Sequence, residues 1–129
     1  MIAGGIGITP FRSMLKYLID KGEKRDIILL YSNNLLEEVA YTDIWTAAEE
    51  RLGTKIVCTL TDLEKIPPTW TGVRGQINAM LISREVPDHL NRYFYISGPH
   101  GMVSGCKNTL LQMGVPARHI KTDYFPGFV

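Results

Sequence analysis

The feature that most constrains this 129-residue chain is its opening run, Ala3-Gly4-Gly5-Ile6-Gly7-Ile8-Thr9-Pro10-Phe11, a glycine-rich turn leading straight into an amphipathic stretch. Glycine has no Cβ, so the backbone there turns sharply, visits positive φ at little cost and lets a ligand come close. Thr9 is expected to cap the following helix, and Pro10 to fill its first turn, where a missing N–H does no harm. The free N–H groups and positive dipole end of that helix would face whatever lies above the glycines, which suits a diphosphate. Gly5-x-Gly7 matches the dinucleotide fingerprint only in part, because Pro10 stands where a third glycine would be. Taken alone, the run also reads as a tight strand-to-helix turn with no ligand. Only Met1, Ile2 and Ala3 precede the first glycine, fewer than the roughly five residues of an average strand. The first strand is therefore expected to be cut short, and the chain to be a piece of a longer protein.

Residues 1–129 are expected to form a single domain, long enough to bury a real core. A formal charge of +1 with no obvious basic face recommends no nucleic-acid partner. No apolar run is long enough for a membrane segment and no leader precedes the first glycine, so a cytoplasmic location is expected. Cys58 and Cys106 lie far apart in sequence and read as free thiols; no metal site is expected.

Along the chain, strands alternate with helices. Phe11, Met14, Leu15, Leu18 and Ile19 recur at helical spacing and stop at Gly22. Asp26 to Tyr31 is a continuous apolar run of the kind found in a parallel strand covered on both faces, and it ends at the polar turn Ser32-Asn33-Asn34. Ile44, Trp45, Ala48 and Leu52 predict a second helix from about Tyr41, closed by Gly53. Lys55 to Leu60 reads as a strand leading into Thr61-Asp62. Glu64 to Gly75 reads as a loop anchored by Trp70, followed by a short helix over Ile77 to Ile82. Arg92 to Ile96 is the next strand, and Ser97-Gly98-Pro99-His100-Gly101-Met102 turns it into a helix reaching about Met113, stopped by Gly114. Ile120 to Phe125 is the last strand. This alternation predicts an α/β, three-layer Rossmann-like fold with a five-stranded parallel sheet and right-handed crossovers.

Ligands of open parallel sheets bind at the carboxyl ends of the strands, where strand order reverses. Four stretches should meet there: Gly4 to Pro10, Ser32 to Asn34, Thr61-Asp62 and Ser97 to Met102. Gly4-Gly5-Ile6-Gly7-Ile8-Thr9-Pro10, Trp70-Thr71-Gly72-x-Arg74-Gly75, Tyr95-Ile96-Ser97-Gly98-Pro99-His100-Gly101-Met102 and Asp123-Tyr124-Phe125, in this order, resemble the nicotinamide-nucleotide-binding domain of the ferredoxin–NADP reductase superfamily. The resemblance covers essentially the whole chain. It implies a module that follows a flavin-binding barrel, here absent, and that positions NADH or NADPH for hydride transfer to FAD or FMN. Gly4, Gly5, Gly7, Thr9, Pro10, Ser32, Asn34, Gly98, Pro99 and Met102 would then bind the nucleotide. Ser97 occupies the place of the family's cysteine beside the nicotinamide, and Asp123 and Phe125 match its closing Glu-x-Phe; these three hold the catalytic positions the resemblance implies. Ser97 is not read as a nucleophile, because no Asp–His pair supports one.

Ser32, Asn33 and Asn34 are neutral where NADP-using relatives commonly carry an arginine, which leans towards NADH, although Arg74 could reach a 2′-phosphate from its loop. His100 reads as a surface or capping residue, and His89 and His119 as structural or solvent-facing. The resemblance implies as partners a flavin-binding domain and a downstream electron acceptor, an iron–sulfur centre, haem or other, with little catalysis by this domain alone. Two further readings are a non-catalytic nucleotide-binding or regulatory module that keeps the fold, and self-association through Tyr124, Phe125 and Phe128.

Overall fold

The computed structural model describes residues 1–125, with side chains through Tyr124. Its strands are β1 (Ile2–Gly4), β2 (Ile28–Asn33), β3 (Lys55–Leu60), β4 (Val73–Arg74), β5 (Phe94–Pro99) and β6 (Ile120–Phe125). Its α-helices are α1 (Thr9–Lys21), α2 (Thr42–Leu52), α3 (Ala79–Glu85) and α4 (His100–Gln112). The strands form one sheet in the order β4-β3-β2-β1-β5-β6, and every pair is parallel. The chain moves outward from β1 through β2 and β3, then crosses back to β5 on the other side of β1. The switch point therefore lies between β1 and β5.

Side chains alternate across the sheet and build a core on each face. Ala3, Leu29 and Tyr31 pack with Phe11, Leu15 and Leu18 of α1 and with Ile44, Trp45 and Ala48 of α2. Ile2, Leu30 and Ile96 pack with Ile82 of α3 and with Val103, Cys106 and Leu110 of α4. These are the three layers expected from sequence. α1 ends as its pattern predicts, with Gly22 at φ 65° and the Gly22 and Glu23 amides returning to Ile19 and Leu18 carbonyls.

Three local expectations are corrected. The sheet has six strands rather than five, because Val73 and Arg74, inside the segment read as loop, pair with Thr59 and Leu60. A two-residue strand carries no periodicity to detect. The helix expected over Ile77 to Ile82 begins at Ala79 and runs to Glu85, since the Asn78 side chain accepts a hydrogen bond from the Leu81 amide and so sets the start. Thr9 is the first residue of α1 and not its cap. Gly5–Ile8 forms a 3₁₀ turn that runs into α1 without the extended residue a cap requires, and no side chain caps the helix. Pro10 does lie in the first turn.

An apolar groove of about 650 Å³ opens at the amino edge of the sheet, bounded by Met14, Leu18, Ile28, Val86 and Tyr95. It lies at the far end of the strands from the glycine turn. No helix among the described residues is long and apolar enough to cross a membrane.

Leu15 is completely buried between α1 and the sheet. Leu15→Ala is expected to lower unfolding free energy by about 2–5 kcal/mol, measured by urea denaturation. Burial in α4 pushes the Cys106 thiol up to about 11. The unfolded thiol ionises at lower pH, so the stability Cys106 contributes is intact below about pH 8.5 and declines as pH rises towards 11. Urea midpoints across that range should fall more steeply for the parent chain than for Cys106→Ala.

Candidate nucleotide site

The glycine turn joins β1 to α1 at the carboxyl edge of the sheet, and each of its glycines has a separate reason. Gly5 adopts a left-handed backbone at φ 54°, with open space where a Cβ would stand. A Cβ on Gly7 would lie 2.2 Å from the Ser97 carbonyl oxygen and 2.7 Å from Gly98 Cα. Such a contact is impossible, so only glycine lets the turn after β1 seat on the end of β5. Gly4 and Gly98 lie side by side across the switch point: a Cβ on Gly98 would sit 3.3 Å from the Gly4 backbone. The Met102 thioether covers both, its Sδ 3.0 Å from either would-be Cβ. Gly4, Gly7, Ser97, Gly98 and Met102, widely spaced in sequence, thus pack together at the switch point.

Ser97 pairs in register with Ala3 on one side and Asp123 on the other, which places Ser97 and Asp123 on the same face of neighbouring strands. Ser97 is 2% exposed and its Oγ has no hydrogen-bond partner. Asp123 is exposed, and Tyr124, also exposed, stacks with the His100 ring at 4.8 Å. Phe125 pairs with Pro99 through the backbone; its side chain, and Phe128 altogether, lie outside the described residues. Pro99 precedes α4 with φ −59°, and no side chain caps that helix.

Ser32 lies next to Gly4 on one side and Thr59 on the other. The Asn34 Oδ1 accepts a 2.6 Å hydrogen bond from the Thr61 hydroxyl, and the Thr61 and Asp62 amides donate to the Asn33 and Asn34 carbonyls. Asn34 is therefore engaged in holding the β2 and β3 ends together. Arg74 lies on β4 at the sheet edge, where its Nη2 donates to the Trp70 carbonyl at 3.3 Å. The Trp70 ring packs on Gly72 and its Nε1 donates to the Val73 carbonyl, the packing role expected of it.

Sequence reading placed Asn33 in the Ser32–Asn34 stretch at this edge without assigning it to the nucleotide, and missed Thr59. Asn33 is 5% exposed with neither amide atom hydrogen-bonded, and Thr59 is fully buried with an unpartnered hydroxyl. A buried polar group without a partner costs roughly 1–3 kcal/mol, so each needs an explanation. Ser97, Asn33 and Thr59 all fall in the carboxyl halves of their strands, Ser97 and Asn33 on strands next to β1 and Thr59 one strand further out. Polar residues at the end of an apolar strand run were the available signal. A glycine floor, an exposed left-handed turn and buried hydroxyl and amide groups fit an extended polar ligand carrying a diphosphate.

A family model described as oxidoreductase NAD-binding domain matches residues 1–108. The chain is 34% identical over 119 residues to the NADPH nitrate reductase of Aspergillus niger, covering 88% of this chain and 13% of that protein. It is 25% identical over 109 residues to the glycine betaine monooxygenase reductase subunit of Pseudomonas aeruginosa, covering 84% of this chain and 30% of that one. The chain thus spans less than a third of these curated relatives. Among solved structures, the flavohem-like FAD/NAD-binding domain of nitric oxide dioxygenase from Vibrio cholerae superposes with a TM-score of 0.82 at 21% identity, over 96% of this chain and 49% of that one.

Gly7→Ala would drive a methyl into the Ser97 carbonyl and force the turn off β5. The expected result is a loss of about 1–3 kcal/mol in thermal unfolding, whereas Gly5→Ala, with open space but a left-handed backbone, should cost about 1 kcal/mol.

Proposed function

Because this chain belongs to the oxidoreductase NAD-binding domain family, we propose that it is the nicotinamide-nucleotide half of a flavin-dependent NAD(P)H oxidoreductase, one domain over residues 1–129 of a longer flavoprotein. The observation that carries this reading is the seating of Gly7 on Ser97–Gly98, which brings the two strand-to-helix turns into one cradle. The greater length of the relatives supports the larger parent.

In this reading the Gly5–Pro10 turn holds the diphosphate at the start of α1, and the Gly4–Gly98 floor with Met102 supports the nicotinamide end. Ser97 offers a buried hydroxyl to that end, in the position of the family's cysteine; it orients the ring and is not a nucleophile. Asp123 and Phe125 lie one strand further out, on the side where a flavin domain would approach. The bound cofactors supply hydride transfer from NAD(P)H to FAD or FMN, and the chain supplies orientation and an electrostatic setting. NADH is the proposed preference, because Ser32–Asn34 are neutral and Arg74 is tied back to its own loop. Partners are the flavin-binding domain and a downstream acceptor such as an iron–sulfur protein or haem, in the cytoplasm. The non-catalytic reading is not favoured, since the family match includes the intact glycine turn.

Calorimetric titration with NADH and NADPH tests this. Saturable binding, tighter for NADH and lost in Gly98→Val, is expected; failure of the folded parent chain to bind either nucleotide would overturn the assignment.

A further inference from the structure

One cation at the carboxyl edge has no charge to meet. Arg12 lies in the first turn of α1, and its guanidinium carbon sits 5.4 Å from the centroid of the Tyr41 ring. Among the described residues it takes part in no ion pair, and its Nε is buried without a hydrogen-bond partner. Tyr41 immediately precedes α2, so the guanidinium stands between the starts of two helices whose positive dipole ends already disfavour an added cation. The acidic residues on the neighbouring segment do not offset it. Glu37 and Glu38 lie in the turn after Leu35, where the Glu38 carboxylate accepts from the Leu35 amide, and Asp43 is in the first turn of α2.

The partner that holds Arg12 is itself held at a cost. Tyr41 has φ 61° and ψ 35°, the left-handed region that a bulky residue rarely adopts. Its ring also meets the Trp45 ring edge-on at 6.4 Å, and the Trp45 indole donates to the Ala40 carbonyl at 2.7 Å. A strained residue fixed from several sides is a device for placing a side chain. Here it keeps the guanidinium over the Tyr41 ring with no ion-pair partner, so the fork is available to a planar or tetrahedral oxyanion. Asn33, whose amide is buried and unpartnered, belongs to the same α1–α2 face of the sheet, at the end of β2.

We propose that Arg12, held over the Tyr41 ring on the sheet face that also carries Asn33, is the phosphate anchor of the bound dinucleotide. The inference rests on the nucleotide reading above and adds a residue to it. The chemistry recognised is a phosphate oxygen, supplied either by the diphosphate common to both nucleotides or by the 2′-phosphate of NADPH. A charge-assisted, forked contact of this kind accounts for a tenfold or larger share of affinity.

The test compares the parent chain with Arg12→Gln and Arg12→Lys by calorimetry against NADH, NADPH and adenosine at low and moderate salt. Arg12→Gln should weaken phosphate-bearing nucleotides about tenfold or more, leave adenosine unchanged and reduce the salt dependence. Arg12→Lys should recover only part, because it keeps the charge and loses the planar fork. Equal loss for NADH and NADPH identifies the diphosphate; loss for NADPH alone identifies the 2′-phosphate. Unchanged melting temperatures separate a lost contact from a lost fold. Parent-like nucleotide binding by Arg12→Gln would overturn the proposal and leave the nucleotide reading standing, whereas absence of binding by the parent chain would remove both.

Discussion

The backbone contact between Gly7 and the Ser97–Gly98 segment is the constraint on which the rest of this structure depends. It closes the gap between the turn after β1 and the end of β5 at the one place where the sheet changes direction. With a side chain at residue 7 the two turns could not meet. The starts of α1 and α4 would then diverge, and Gly4, Gly98 and Met102 would no longer pack together. Glycine serves here mainly to bring two pieces of backbone together, and only at Gly5 to supply a left-handed turn.

That contact also decides where polarity can be buried. The interior rows of β2, β3 and β5 are apolar on both faces and pack against helices, whereas Ser97, Thr59 and Asn33 near their carboxyl ends carry buried polar atoms without partners. Such groups are destabilising on their own and useful where a polar ligand is to be gripped out of water. The division of labour follows the direction of the strands. Packing energy accumulates towards their middle, and unsatisfied polarity collects at the edge where the helices begin.

Much of this was legible from residue order. The glycine turn, Gly22 and the Ser97–Met102 turn mark their elements because each needs a specific backbone shape. The boundaries of β2 shifted from Asp26–Tyr31 to Ile28–Asn33, since Ser32 and Asn33 look like a polar turn yet pair with Thr59 and Leu60. β4 was hidden because its two residues owe their strand geometry entirely to the neighbouring β3. Thr9 resembles a cap by type, but the 3₁₀ turn before it removed the extended conformation a cap needs. By residue type Arg12 is one more charged position between the apolar residues of a helix. Its meaning depends on Tyr41, far away in sequence, and on a backbone conformation that no pattern of residue types reveals.

The central claim is that the two turns joined through Gly7 form one nucleotide cradle at the carboxyl edge. Backbone amide chemical shifts followed by nuclear magnetic resonance during an NADH titration test it most directly. Saturable changes confined to Gly4–Pro10 and Ser97–Met102, extending to the end of β2, are the predicted result. Changes centred instead on the amino-edge groove around Met14, Ile28 and Tyr95 would contradict the account.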